Sequence, residues 1–201
     1  RVDDRDLLES IVDLVGEERT RDDCAVIPLG DTVLVATTDM LHTKTDFLFG
    51  MTDWQCGWMA IAVTLSDIAS MGAAPRWILL AVRLARAERL RPVMEGAKAC
   101  CDRYGAALVG GDIDSHDELT LVSTGLGTVE PAHLVRRQGS RPGDLVCVTG
   151  VLGRAQAAID GYEQYRKHLF EPQPRVAEGQ ILGRSGATSM MDISDGLALS
   201  L

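Results

Sequence analysis

The chain has 201 residues, of which 46% are hydrophobic and 24% charged, and its formal net charge is −9. This length and composition are typical of a globular protein with a sizeable core. The acidic balance argues against a nucleic-acid partner, because phosphate binding requires a basic surface. No apolar run reaches membrane-spanning length, and the start of the chain does not resemble a signal peptide. The five cysteines form no C-x-x-C pair and are odd in number, so we expect a cytoplasmic protein without a membrane partner.

The first two thirds of the chain contain alternating helical and strand patterns. RDLLESIVDLV predicts a short leading helix and DTVLVATTD a strand. Apolar residues then occupy nearly all sides of a predicted helix from Trp54 to Met71, so this helix should be buried and should end at Gly72. RWILLAVRL predicts a strand, Leu90 to Tyr104 an amphipathic helix, and AALVGGD and ELTLVSTGLGTVE two further strands.

A stretch rich in Arg, Gly and Pro, RRQGSRPGD, is the best candidate for a domain boundary. It predicts a first domain over residues 1–136 and the beginning of a second, incomplete domain over residues 137–201, since about 60 residues are marginal as an independent domain. In the second part we expect a strand at Leu145 to Thr149 and helices around Arg154 to Tyr165 and Val176 to Leu182. Helices and strands mix without strict βαβ alternation, which favours the α+β class.

Aspartates recur where apolar segments begin or end, and one lies inside the predicted buried helix. They are Asp22, Asp23, Asp39, Asp67, Asp112, Asp114, Asp192 and Asp195. Each has an ordinary structural explanation, such as a helix cap, a turn, or for Asp67 a bond to backbone amides or an arginine. Asp67 is the most restrictive case, because an ionised carboxylate on a buried helix face costs several kcal/mol unless a cation or hydrogen-bond donors meet it.

Taken together, these carboxylates favour a magnesium–phosphate site. Carboxylates converging at one edge of a sheet repel each other unless a positive charge lies between them, and Mg²⁺ binds a few carboxylates while leaving positions for phosphate oxygens. Histidine and thiol ligands are absent from the set, which argues against zinc. The chain contains no G-x-x-x-x-G-K-[ST] loop and no protein-kinase signature. A nucleotide would therefore be held mainly through metal and glycine turns.

Six motifs, DDCAVI, TTDML, AVTLSDIASMGAAP, LVGGD, RPGDLVCVTG and DISDGL, resemble the thiamine-monophosphate kinase family in order and spacing. That family belongs to the superfamily of aminoimidazole ribonucleotide synthase and selenophosphate synthetase. The resemblance covers nearly the whole chain. It implies an aminoimidazole ribonucleotide synthase-like two-domain α+β fold, with helices packed on a mixed sheet and the second domain truncated here.

The resemblance also implies roles for individual residues. The implied magnesium ligands are Asp23, Thr37, Thr38, Asp39, Asp67, Asp112, Asp192 and Asp195. The implied nucleotide contacts are Gly111, Asp112, Arg137, Ser194 and Tyr104, and the implied catalytic residues are Asp67, Asp112 and Arg137. Asp46 stands where the family often has a substrate-contacting histidine, seven residues after Asp39, and Arg21 replaces a glycine beside the implied site. Asp114 has no implied role, and a turn-capping function is favoured for it.

The activity implied by the resemblance is the Mg²⁺-dependent transfer of the ATP γ-phosphoryl group to thiamine monophosphate, in a homodimer. Two alternatives remain open at this point. One is another ATP-dependent enzyme of the superfamily, such as a cyclase acting on a purine precursor. The other is a non-catalytic homologue that binds Mg²⁺ and nucleotide, for which Arg21 and Asp46 are the supporting features.

Overall fold

The computed structural model describes residues 4–194 and 196–200. Its five strands form one sheet in the order β1-β2-β5-β3-β4. They are β1 (Ala25–Leu29), β2 (Thr32–His42), β3 (Ala74–Leu84), β4 (Ala107–Ser115) and β5 (Thr120–Val129). The β3–β4 pair is parallel and the other pairs are antiparallel. The predicted strands DTVLVATTD and ELTLVSTGLGTVE correspond to β2 and β5, which pair directly in this sheet.

The helices among the described residues are α1 (Asp4–Glu9), α2 (Val12–Val15), α3 (Asp53–Ser70), α4 (Leu90–Tyr104), α5 (Arg154–Ile159), α6 (Arg166–Phe170), α7 (Val176–Arg184) and α8 (Leu197–Ser200). The predicted leading helix is thus two short helices. Helix α4 connects the parallel strands β3 and β4, and α3 packs against the sheet. This mixed sheet with helices packed on it confirms the predicted α+β class. No helix in the described part of the chain is long and apolar enough to cross a membrane.

Helix α3 is the central helix of the fold. It begins at a capping box, in which the Thr52 hydroxyl accepts from the Gln55 backbone N–H and the Gln55 side chain accepts from the Thr52 backbone N–H. Glycines let its neighbours approach closely: a Cβ at Gly57 would lie 1.9 Å from the Val93 carbonyl oxygen of α4. A Cβ at Gly179 of α7 would lie 2.1 Å from the Ala69 carbonyl oxygen. The all-round burial predicted for α3 is therefore correct.

The sheet has one buried and one open face, because side chains alternate along each strand. On β5, every second residue from Leu121 to Val129 is buried under α3. The other face carries exposed apolar side chains, among them Met40, Trp77 and Leu79. One face of the sheet thus forms the core with α3, while the other is unpartnered within the described residues.

The second part of the chain departs from the sequence prediction in two respects. Residues Leu145 to Thr149 form no strand, and Leu145 is 88% exposed. A strand needs a hydrogen-bonded neighbour, and no described segment pairs with these residues. The helix expected from Arg154 to Tyr165 ends at Ile159, and the one expected around Val176 to Leu182 is α7. The boundary after residue 136 stays a prediction.

Candidate metal centre

Three aspartates from distant parts of the sequence meet at the C-terminal end of α3. Asp67 lies in the last turns of this helix, Asp23 just before β1, and Asp192 in the irregular segment after α7. One carboxylate oxygen of each residue lies within 4.8 Å of the other two. The predicted convergence of Asp23, Asp67 and Asp192 is thus present in the structure, and it joins residues on both sides of the predicted boundary.

The surroundings of Asp67 disfavour its charged form. Burial is the largest effect and, with the negative charge of Asp39, raises the pKa of Asp67 from 3.8 to about 8; the charges of Asp192 and Asp23 act in the same direction. A hydrogen bond from the Thr37 hydroxyl to Asp67 Oδ2, 2.6 Å long, opposes this rise. No lysine or arginine of the described residues forms an ion pair with Asp67, so the structural explanation through an arginine does not apply.

Hydroxyl groups hold the other carboxylates of the centre. The Ser66 hydroxyl donates to Asp192 Oδ2 over 3.2 Å, and the Ser70 hydroxyl donates to Asp23. Burial and the nearby Asp23 charge raise the pKa of Asp192, although hydrogen bonds from Ser194 and Ser66 and the charge of Arg137 lower it.

Asp39 lies next to this group on β2. The Thr64 hydroxyl donates to Asp39 Oδ2 over 2.7 Å. Burial raises the pKa of Asp39, and the Thr64 hydrogen bond opposes the rise. Four acidic side chains therefore surround the end of α3, three of them with raised pKa values.

Two consecutive arginines balance part of this negative charge. The guanidinium of Arg137 donates to Asp23 Oδ1, with Nε at 2.6 Å, and that of Arg136 forms an ion pair with Asp22. Arg21, by contrast, pairs with Glu17 one helical turn earlier in the chain. The replacement of glycine by Arg21 therefore adds no cation to the carboxylate group.

The donor set fits a magnesium ion. Hard oxygen ligands at about 2.1 Å from Mg²⁺ lie up to about 4.2 Å apart. The oxygens of Asp23, Asp67 and Asp192, which lie within 4.8 Å of one another, are close to this spacing. A divalent cation would also remove the electrostatic cost of holding these buried carboxylates together.

Comparison with known proteins agrees with this geometry. The family described as "AIR synthase related protein, N-terminal domain" matches residues 21–129. A thiamine-monophosphate kinase from Methanospirillum hungatei is 55% identical over 200 residues, which are 100% of this chain and 70% of the relative. The chain belongs to the thiamine-monophosphate kinase family. A relative of the same name from Halobacterium salinarum is 43% identical over 206 residues, covering 100% of this chain and 68% of its own length.

A solved structure of the family gives the same fold. The structure of AaThiL complexed with AMPPCP and TMP superposes with a TM-score of 0.85 at 26% identity, covering 94% of this chain and 64% of that chain. The aminoimidazole ribonucleotide synthase-like fold is therefore confirmed. The chain spans about two thirds of the length of the family members it matches.

Not every residue assigned by the family resemblance lies at the three-carboxylate centre. Thr37 does, through its bond to Asp67, whereas Thr38 bonds to Thr124 and is exposed. Ser194 acts on the centre through its bond to Asp192. Asp195 lies outside the described residues.

Asp112 and Gly111 lie on β4, at the far edge of the sheet from β1. The pairing places Asp39, Ser123, Leu80 and Gly111 in one row across four neighbouring strands. Because neighbouring strands are about 4.8 Å apart, Gly111 lies roughly 14 Å from Asp39 in this row. Gly111 has a φ of +154°, and a Cβ there would lie 1.8 Å from the Leu80 carbonyl oxygen, so this position requires glycine. Asp112 is exposed and is not part of the three-carboxylate group.

Tyr104 and Asp46 also lie apart from the carboxylates. The Tyr104 hydroxyl donates to Gln173 Oε1 over 3.1 Å, and its ring contacts Trp58 edge-on. Asp46 Oδ2 accepts from the His42 backbone N–H and the Thr45 hydroxyl, each at 2.8 Å, so it stabilises the turn after β2. The nucleotide role of Tyr104 and the substrate role of Asp46 stay predictions.

Sequence reasoning missed the hydroxyl groups of Thr64, Ser66 and Ser70, and it gave Asp22 no role beyond an ordinary structural one. Thr64, Asp67 and Ser70 follow one another at intervals of three residues, which places them on one side of a helix. That spacing was the available signal for Thr64 and Ser70. The sequence contains no comparable signal for Asp22, because its partner Arg136 is 114 positions away in sequence.

Proposed function

We propose that this protein phosphorylates thiamine monophosphate to thiamine diphosphate with ATP and Mg²⁺. The observation that carries the proposal is the convergence of Asp23, Asp67 and Asp192, whose carboxylate oxygens lie within 4.8 Å of one another. The family relationship supports the activity, because the relatives are named thiamine-monophosphate kinases and AaThiL is complexed with AMPPCP, a non-hydrolysable ATP analogue, and TMP.

In this proposal a Mg²⁺ ion bound by Asp23, Asp67 and Asp192 supplies positive charge to the phosphates of ATP. Thr37, Thr38, Asp39 and Asp195 complete the metal-binding residues. Arg137, which already contacts Asp23, contributes a second positive group for the phosphoryl oxygens. Both substrates are polyanions, so the main task of these residues is to neutralise charge and align the reactants.

The reaction is an in-line displacement at the γ-phosphorus of ATP. A phosphate oxygen of thiamine monophosphate attacks this phosphorus, and the bond to the β–γ bridging oxygen breaks, releasing ADP. The acceptor phosphate is largely ionised at pH 7, since the second pKa of a phosphate monoester is near 6. The chain therefore needs no general base, and Asp67, Asp112 and Arg137 act by electrostatics and positioning.

Asp112 is proposed to bind Mg²⁺, as the family resemblance implies, and its strand lies too far from Asp39 for the two residues to share one ion. Gly111, Ser194 and Tyr104 are proposed to contact the nucleotide. Asp46 is proposed to contact thiamine monophosphate, whose thiazolium ring is positively charged and is attracted by a carboxylate.

We further propose a cytoplasmic homodimer. Met40, Trp77 and Leu79 are 64%, 43% and 40% exposed on one face of the sheet, and apolar surface of this kind is typical of a subunit interface. The five cysteines are free, which is consistent with a reducing compartment. Sedimentation of the full-length protein at the mass of a monomer would contradict the dimer.

The test of the activity is a product assay on the full-length protein. With ATP, Mg²⁺ and thiamine monophosphate, we expect thiamine diphosphate and ADP to form in equal amounts, as measured by chromatography. ADP without thiamine diphosphate would favour another enzyme of the superfamily, such as one acting on a purine precursor. Nucleotide binding without ADP formation would favour a non-catalytic homologue.

A further inference from the structure

The metal centre depends on a segment that has no regular secondary structure. Asp192 lies in the stretch 187–193, which contains neither helix nor strand. Its carboxylate nevertheless lies beside those of Asp23 and Asp67. Its position therefore depends on contacts with other parts of the chain, both inside the centre and outside it.

Asp22 provides the first of these contacts. Its Oδ1 accepts from the backbone N–H of Arg137 over 3.0 Å, and its Oδ2 forms an ion pair with the guanidinium of Arg136. The Asp22 side chain is 7% exposed, and it is not one of the three converging carboxylates. Both of its oxygens are thus engaged by residues 136 and 137.

The backbone of residues 136 and 137 in turn binds the stretch that carries Asp192. The Arg136 carbonyl oxygen accepts from the Met190 backbone N–H over 3.1 Å, and the Arg137 carbonyl oxygen accepts from the Ser189 hydroxyl over 2.5 Å. The Asp192 backbone N–H then donates to Asp23 Oδ2 over 3.2 Å. Hydrogen bonds therefore link Asp22 to residues 136–137 and these to residues 189–190, from which the backbone continues directly to Asp192.

We infer that Asp22, together with Arg136, is a positioning residue for the metal–nucleotide site. It fixes the backbone of Arg137, and thereby sets both the Arg137 guanidinium and the Asp192 carboxylate against Asp23. This inference rests on the proposed function, because it assigns Asp22 to the same Mg²⁺ site. Asp22 itself contacts neither the metal nor a substrate.

The test compares Mn²⁺ binding by full-length variants, with Mn²⁺ as a paramagnetic probe for the Mg²⁺ site. In Asp22→Asn, an amide N–H₂ group faces the Arg136 guanidinium, so the ion pair is lost while the acceptor for Arg137 N–H remains. We expect the Mn²⁺ dissociation constant, measured by electron paramagnetic resonance, to rise about tenfold. We expect the KM for Mg–ATP to rise more than kcat falls.

Arg136→Met removes the other partner of the same Asp22–Arg136 ion pair, so it keeps the inference testable if Asp22→Asn does not fold. The double variant should bind Mn²⁺ about as weakly as either single variant, because residues acting through one contact are not additive. Asp53→Asn is the matched control: it breaks the partly buried Asp53–Arg89 pair at the other end of α3, so it should lower the melting temperature without changing Mn²⁺ affinity.

Two results separate this inference from the proposed function. If Asp22→Asn and Arg136→Met lower the melting temperature like Asp53→Asn but leave Mn²⁺ affinity unchanged, the pair is only structural and the inference is wrong. If the wild-type protein binds no Mn²⁺, the metal centre itself is wrong, and the inference fails with it.

Discussion

Asp67 is the residue whose environment distinguishes a metal ligand from a structural aspartate. It is partly buried on α3, its one hydrogen-bond donor among the described side chains is Thr37, and its nearest charges are negative. A structural aspartate would be stabilised in its charged form by amides or an arginine. The opposite is found here, so the charged form of Asp67 would need a nearby cation to stabilise it.

The first prediction follows from the direction in which the pKa of Asp67 is shifted, which is upward. The pKa of Asp67 is about 8 in the folded protein, whereas the ordinary value, which applies to the unfolded chain, is 3.8. Between pH 3.8 and pH 8 the folded state therefore binds more protons than the unfolded state. The free energy of unfolding of the metal-free protein should therefore fall as the pH rises from about 4 to 8. Burial acts in the same direction on Asp39 and Asp192.

Asp67→Asn should weaken this pH dependence. In the presence of EDTA at pH 8, the variant should melt above the wild-type protein, because it lacks one buried negative charge, and Mg²⁺ should no longer stabilise it. Thermal melts of the two proteins between pH 5 and 8, with EDTA and with Mg²⁺, measure these differences. Parallel pH profiles for the two proteins, or a large loss of stability in metal-free Asp67→Asn, would favour the structural explanation.

The sequence placed the three converging carboxylates in a larger set of eight aspartates, because each stands at a conspicuous place in an apolar pattern, but it did not separate them from the other five. It did not identify Ser66 or Ser70: helical spacing places Ser70 on the same side of α3 as Asp67, but only the fold brings the two serines to Asp192 and Asp23. It also could not show that Asp112 lies on another strand three spacings from Asp39, because the order of strands in a sheet does not follow the order in sequence.

At the scale of elements, the position of Asp67 depends on how closely α7 and α4 pack on α3. Periodicity predicted α3, α4 and the four strands β2 to β5, since each contains a local pattern of apolar residues, but it did not predict β1. The strand expected at Leu145 to Thr149 was wrong for the described structure, because strand formation depends on a partner that no local pattern specifies.

The packing of α7 on α3 gives a second prediction. In Gly179→Ala, the added methyl group would lie 2.1 Å from the Ala69 carbonyl oxygen, so one helix must move. We expect the free energy of unfolding, measured with urea, to fall by about 1–3 kcal/mol. Mn²⁺ binding should weaken as well, because Ala69 is two residues from Asp67.

Ile181→Ala on the same helix is the control for this prediction. Ile181 is 55% exposed, so its truncation should change stability by less than about 1 kcal/mol and leave Mn²⁺ binding unchanged. Equal effects of the two substitutions would mean that α7 does not pack against α3 in this way.

At the scale of the whole molecule, the metal centre joins two parts of the chain that the sequence separates. Asp23 and Asp67 precede the predicted boundary and Asp192 follows it, yet the three share one cluster. A Mg–nucleotide bound there would hold the two parts together and should stabilise the folded protein, since a ligand that binds only the folded state raises its stability.

The most direct test of this shared site is the melting temperature of the full-length protein with and without Mg–ATP. For the wild-type protein at saturating ligand we expect a rise of about 5 °C. Asp192→Asn and Asp39→Asn should both lose most of this rise, although the two residues lie far apart in sequence. Asp160→Asn should keep it, because its carboxylate is exposed and, among the described side chains, accepts only from Gln156 of the same helical turn. An unchanged Mg–ATP shift in Asp192→Asn would contradict a metal–nucleotide site shared by the two parts of the chain.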